Sequence, residues 1–129
     1  MPGFVRTLMG GGFSAGQAAA ANGYGTLGQT ATGSNQATAF PLTTEFTEFT
    51  TVAASTGAVL PAPTSTTTPL VTGDSLVVVN NGANALSVYP PVGFSIGTAA
   101  ANTALSLPAN KTGVYIAKGN GNYWAVVSA

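Results

Sequence analysis

The chain has 129 residues, with three basic and three acidic side chains that sum to zero, no cysteine and no histidine. That excludes a disulfide framework and thiolate chemistry and removes the commonest general base and transition-metal ligand. Three basic residues cannot neutralise a nucleic-acid backbone. Charged residues make up 5% of the chain, against about 25% in an average soluble domain, and so uncharged a surface tends to associate. Much of it is therefore expected to be covered by other protein. The length suits one domain with a modest core. Mean hydropathy is positive, yet no uninterrupted apolar run is long enough for a membrane-crossing helix, so no membrane partner is expected.

Residues 1–36 are rich in Gly, Ala, Thr and Asn. Ser14 as N-cap with Gln17 three residues on resembles a capping box and predicts a short helix over 14–21. The segment is too poor in apolar residues for a core of its own, but Phe4, Val5, Leu8, Met9, Phe13 and Tyr24 punctuate it. An extended N-terminal arm that folds onto a partner or a neighbouring subunit fits both features, with Phe4, Leu8, Phe13 and Tyr24 as its anchors. A signal peptide is disfavoured because Gly10-Gly11-Gly12 breaks the apolar region; the expectation is an unprocessed N-terminus made in a cytoplasm. The stretch Gly23-Tyr24-Gly25-Thr26-Leu27-Gly28 spells a dinucleotide fingerprint. It lacks a preceding strand, a following helix and the downstream acidic residue that this chemistry needs. It is read as part of the arm, and no cofactor is expected.

Residues 37–56 carry the Thr and Phe content of strands. Phe46 and Phe49 are three apart, which predicts a bulge or a bend between them. Glu45 and Glu48 are read as solvated carboxylates rather than an acid–base pair, and no metal site is expected, since no calcium-loop motif accompanies Asp74, Glu45 or Glu48. Residues 57–60 form a short strand stopped by Pro61 and Pro63, and 64–69 a Thr-rich loop. Residues 76–79 and the alternating 85–89 predict one β-hairpin around Asn80-Asn81-Gly82-Ala83-Asn84, closed by Pro90-Pro91. Further short strands are expected at 92–96 and 104–107, then a turn at 108–111. A last hairpin pairs 112–117 with 123–127. Asn110-Lys111-Thr112 is a glycosylation sequon by spelling, meaningful only in a secretory setting.

Seven or eight short strands at regular spacing predict an all-β chain: an antiparallel β-sandwich or jelly-roll-like barrel over 37–129, preceded by the arm over 1–36. The expected core is Val59, Leu76, Val78, Leu86, Val88, Ile96, Leu105, Leu107, Val114, Ile116, Trp124 and Val126. With no His or Cys and only scattered acids, no catalytic residue is assigned and no enzyme is expected.

The runs Val59-Leu60-Pro61-Ala62-Pro63, Val79-Asn80-Asn81-Gly82-Ala83-Asn84-Ala85-Leu86-Ser87-Val88-Tyr89-Pro90-Pro91, Ile96-Gly97-Thr98-Ala99-Ala100-Ala101-Asn102, Lys111-Thr112-Gly113-Val114-Tyr115-Ile116 and Asn122-Tyr123-Trp124 together resemble a small β-domain of tailed-bacteriophage and prophage structural proteins. The nearest kind is the head decoration, or cement, protein. The resemblance covers half to two-thirds of the chain and excludes the arm. It implies a place on the outer capsid surface of a virion, the major capsid protein as partner, and no catalytic residues. On symmetry grounds a homo-oligomer is expected, a trimer in preference to a dimer. The alternatives are a tail, fibre or baseplate β-module, or a carbohydrate-binding module using aromatics such as Tyr89, Tyr115, Tyr123 and Trp124. In the last case strand alternation sends Tyr123 and Trp124 to opposite faces.

Overall fold

The structure is a computed structural model that describes residues 25–63 and 70–129. Among these residues there is no helix, and nine strands form two sheets. The strands are β1 (Gly25–Thr30), β2 (Phe40–Pro41), β3 (Phe46–Thr51), β4 (Gly57–Val59), β5 (Ser75–Asn80), β6 (Leu86–Tyr89), β7 (Leu105–Leu107), β8 (Lys111–Ala117) and β9 (Tyr123–Val127). One sheet has the order β1-β3-β5-β8-β9 and the other β2-β4-β6-β7. The all-β expectation holds, as two facing sheets rather than a closed barrel.

The sheets are mixed, not purely antiparallel. From β1 to β6 each strand joins the sheet opposite its predecessor, so β1, β3 and β5 lie parallel, as do β2, β4 and β6. The chain thus winds as three stacked rungs, each giving one strand to each sheet. The later strands close the structure: β7 runs antiparallel to β6, β8 to β5 and β9 to β8. The hairpin expected between 76–79 and 85–89 therefore does not exist. β5 and β6 are real strands, but they lie in different sheets.

The physical reason is Asn80. This side chain is fully buried. Its Nδ2 donates to Asn84 O and to Leu107 O, each at 2.9 Å, and its Oδ1 accepts from Gly82 N at 3.0 Å. One amide thus shapes the turn and ties the end of β5 to β7 in the other sheet. The turn also rests on the rung before it: Asn81 N donates to Phe49 O, and Asn84 Nδ2 donates to Val52 O. Gly82 is buried against Val52, with no room for a Cβ. The polar turn residues that predict a reversal within one sheet instead make, through these hydrogen bonds, a corner between two.

The core lies between the sheets. It includes Phe49, Leu60, Leu76, Val78, Leu86, Val88, Ile96, Leu107, Tyr115 and Tyr123. Six of the expected core residues are buried: Leu76, Val78, Leu86, Val88, Ile96 and Leu107. Val59 is half-buried, and Leu105 packs against the core from a half-buried position. The last hairpin forms as expected, but its faces are reversed. Tyr115, Ala117 and Tyr123 point inward, while Val114 and Ile116 are half-buried on the other face and Trp124 and Val126 are exposed. Gly113 decides the phase. It is buried beneath the Tyr115 ring, which occupies the space a side chain would need. Burying two tyrosine rings removes more apolar area than burying Val114 and Val126.

Two further expectations are corrected. Phe46 and Phe49 need no bulge between them, since β3 pairs with β5 in unbroken register from Phe46 to Phe49. Phe46 simply faces outward and Phe49 inward. The irregularity lies between β3 and β1, near Gly28 at φ 68°. Residues 92–96 do not form a strand: Ile96 makes a single bridge to Tyr123, and Gly93 and Gly97 adopt left-handed φ on either side.

The sheet begins at Gly25 rather than after residue 36. β1 pairs with β3, and Ala31 N donates to Thr51 O beyond it. The helix expected over 14–21 and the loop over 64–69 lie outside the described residues.

Candidate interaction surface

The outward face of the five-stranded sheet carries the surface most distinct from its surroundings. Strand alternation sends Phe46, Val77, Val114 and Val126 to the same side. Their Cα partners follow one another across the sheet: Phe46 with Val77, Val77 with Val114, and Val114 with Val126. A second row runs from Ser75 to Ile116 to Trp124. Phe46, Trp124 and Val126 are exposed, the last by 60%; Val77, Val114 and Ile116 are half-buried by their neighbours. The Trp124 ring lies against Gly97 and under the Lys118 Nζ, which sits 4.7 Å from the ring centroid. This cation–π contact covers part of one ring face.

The groups that sequence reading singled out fall into structural roles. Both carboxylate oxygens of Glu48 are engaged, Oε1 accepting from Gly28 N at 3.3 Å and Oε2 from Asn81 Nδ2 at 2.8 Å. Glu48 thereby holds the irregular part of β1 and the 80–84 corner to the middle rung. Asp74 Oδ2 accepts from Val71 N at 3.1 Å and shapes the approach to β5. Among the described residues no three acids or other ligand types gather as a metal site would require. The glycine-rich motif forms no phosphate cradle in its described part, because Gly25, Thr26, Leu27 and Gly28 belong to β1. Asn110 sits in the turn before β8 at φ 62°, its N–H donated to Asn80 O.

The proposed carbohydrate platform is not assembled. Tyr115 and Tyr123 are buried in the core, and burial pushes both phenols above their usual range. Tyr123 donates to Pro61 O at 2.7 Å, whereas the Tyr115 hydroxyl has no partner among the described residues. Tyr89 and Trp124 lie on strands of different sheets. The arm anchors Phe4, Leu8, Phe13 and Tyr24 are outside the described residues.

A groove of about 590 Å³ opens beside the shorter sheet, lined by Leu42, Val59, Leu60, Pro61, Pro91 and Phe94 among others. It is apolar. Its polar side chains are Gln36, whose Nε2 is committed to Pro90 O, and Thr43. No set of acid, base and oxyanion donors converges there.

Comparison with protein families, with characterised proteins and with solved structures returned no match. The row Phe46–Val77–Val114–Val126 is not legible in the sequence reading, which expects Val114 and Val126 in the core and assigns Phe46 and Val77 no face. A signal was present: Gly113, Tyr115 and Ala117 alternate with Thr112, Val114 and Ile116. An internal glycine packed under a tyrosine marks the side where space is short.

Proposed function

We propose that this protein is a structural virion component: a head decoration, or cement, protein that binds the outer surface of the major capsid protein lattice of a tailed bacteriophage. It acts without catalysis, as a homo-oligomer for which a trimer is the preferred form. The observation that carries this reading is an outward apolar row on a chain almost devoid of charge. Such a surface is buried against protein without stripping water from ions, which is costly when pairing is imperfect. The likeness of the run from Val79 to Pro91 to phage structural β-domains supplies the setting. Stabilising a shell calls for many modest contacts over a large area, and repetition on a lattice multiplies their effect. The N-terminal residues, with Phe4, Leu8, Phe13 and Tyr24 as anchors, and the apolar sheet face are the surfaces offered for lattice and subunit contact.

The test is incubation of the purified protein with capsids that lack it, followed by imaging. Regular occupancy of outer lattice sites and increased resistance of the particles to heat are expected. Absence from the lattice, with binding to tails or to glycans instead, would refute the proposal. Removal of residues 1–24 is expected to weaken occupancy while leaving the strands folded.

A further inference from the structure

We infer that the open edge of β9 is a self-pairing site: two copies of this chain join there antiparallel about a two-fold axis, and the five-stranded sheet of one continues into that of the other. The inference goes beyond the virion reading and holds or fails independently of it.

The backbone sets the site. Along 122–128 the even-numbered residues turn their backbone groups to β8, since Lys118 N donates to Asn122 O and Ser128 N to Thr112 O. The odd-numbered residues therefore turn theirs to the open side. Tyr123 uses that side: its N–H donates to Ser95 O at 3.0 Å, and its C=O accepts from Gly97 N at 2.7 Å. The same groups of Ala125 and Val127 take no partner among the described residues.

The other three edges are blunted. In β1, Gly28 adopts a left-handed φ, Gly28 N donates to Glu48 Oε1 and Leu27 O accepts from Gln29 Nε2. β2 has two residues and ends in Pro41; β7 has three and runs into Pro108. Short, irregular and proline-marked edges are how sheets avoid pairing. β9 has five residues, an unbroken register with β8, and no Gly, Pro or charged side chain.

These properties fit a second copy of the same strand. Each β9 supplies the donors and acceptors that the other lacks, and no like charges on the two strands meet across the seam. On the outer face, the row Phe46–Val77–Val114–Val126 stops at this edge, so pairing runs it into the same row of the next copy. On the inner face, Ala125 and Val127 are half-buried against the core. A groove of about 320 Å³, lined by Ile96, Thr98, Leu105, Trp124 and Ala125 among others, flanks the edge. An added strand gains main-chain bonds and places alternate side chains on each face. Ala125 opposite its own counterpart would set Val127 against Tyr123, whose groups are already taken. The two-fold axis therefore falls at Val126 or Val127. A cyclic trimer needs a heterologous contact, which a self-pairing edge does not make. Edge pairing thus joins chains, or oligomers built through other surfaces, two by two.

The edge is about 17 Å long across two sheets about 10 Å apart, a footprint on the order of 300 Å². A standard interface takes about 800 Å² from each partner. The pair is therefore weak singly, and a covalent trap reads it better than size does. The chain has no cysteine, so single cysteines report contact between copies. Val126→Cys and Val127→Cys are compared with Leu27→Cys, an exposed position on β1. All three are oxidised mildly at equal concentration, and the rates are normalised to reaction with a small thiol reagent. Directly opposed residues of an antiparallel pair lie about 4.5–5.5 Å apart, within disulfide reach. Disulfide dimers are expected to form about ten-fold faster at 126 or 127 than at 27. Equal rates at all three positions overturn the inference.

A second variant tests the backbone itself. Ala125→Pro removes an N–H that β8 does not use, and an edge strand tolerates proline on its open side. Added to the cysteine chains, it is expected to slow trapping at 126 and 127 about ten-fold and to leave the rate at 27 and the circular dichroism spectrum unchanged. Trapping at the original rate in this folded variant overturns the inference. The comparison of cysteine positions decides the matter should the proline chain not fold.

Discussion

Replacing Asn80 tests the two-sheet winding most directly. In Asn80→Ala the corner loses two donors and one acceptor. Leu107 O and Gly82 N are left in buried surroundings without their partner, and Asn84 O in a partly buried one. A buried polar group left unpaired costs about 1–3 kcal/mol, so the two buried ones together give about 2–6 kcal/mol. That is a large share of the roughly 5–15 kcal/mol that holds a domain folded. Asn80→Asp keeps the shape but points a carboxylate oxygen at two carbonyl oxygens, where the amide had donated. Burial and the facing carbonyls hold this acid's pKa above its unfolded value. The unfolded chain therefore ionises first as pH rises, and the penalty grows through and above about pH 4. Urea unfolding followed by circular dichroism is expected to rank wild type above Asn80→Ala at all pH values. Asn80→Asp is expected to fall below Asn80→Ala at pH 7 and to recover on acidification. A loss under about 1 kcal/mol for Asn80→Ala, or an Asn80→Asp protein as stable as wild type at pH 7, would refute the role given to this side chain.

The two buried tyrosines should respond in opposite directions to the same substitution. Tyr115→Phe removes an unpartnered hydroxyl and is expected to be neutral or stabilising by up to about 1 kcal/mol, whereas Tyr123→Phe breaks the bond to Pro61 O and is expected to cost about 1 kcal/mol. Burial raises both phenol pKa values, so their contribution is complete below about pH 10 and lost above it, as the unfolded chain ionises and the folded one does not. The alkaline fall in stability, read by urea unfolding, should become shallower in each variant by about 1.4 kcal/mol per pH unit. Gly82→Ala would place a Cβ 2.6 Å from Val52 side-chain atoms and 2.8 Å from its backbone N, forcing the upper two rungs apart. A loss of about 2–3 kcal/mol in the same unfolding measurement is expected.

Local grammar was legible in the sequence where short-range chemistry decides it. The strands at 57–59, 75–80, 86–89 and 105–107, the turn before Lys111 and the final hairpin all followed from β-branched runs bounded by Gly, Asn and Pro. Pairing was not legible. A parallel partner lies a whole rung away, and the rungs differ in length and share little sequence. The recurring signal is modest: the strands of the shorter sheet end in Phe40-Pro41, in Val59 followed by Leu60-Pro61, and in Tyr89 followed by Pro90-Pro91. The inward face of β8 was misjudged because hydrophobic alternation has the same period in either phase. Glycine at 113 and tyrosine at 115 break that tie through volume, which a pattern of apolar and polar letters does not register. The same error hid the half of the outward apolar row that Val114 and Val126 supply.

The rung winding also governs how the chain finds its fold. β5, at the centre of the larger sheet, is flanked by β3 from the preceding rung and by β8, which is made only after the whole of the shorter sheet has been synthesised. Neither neighbour is its successor in sequence, so little of the larger sheet is gained from local reversals until β8 and β9 form. Contacts so distant along the chain raise the loop-closure cost met before any reward, which places folding in the slow range of milliseconds to seconds. Until residues 111–117 arrive, β5 presents an unpaired edge of Leu76, Val77, Val78 and Val79, a run suited to pairing with another chain. Crowded synthesis of many copies would therefore test this protein at its last strands.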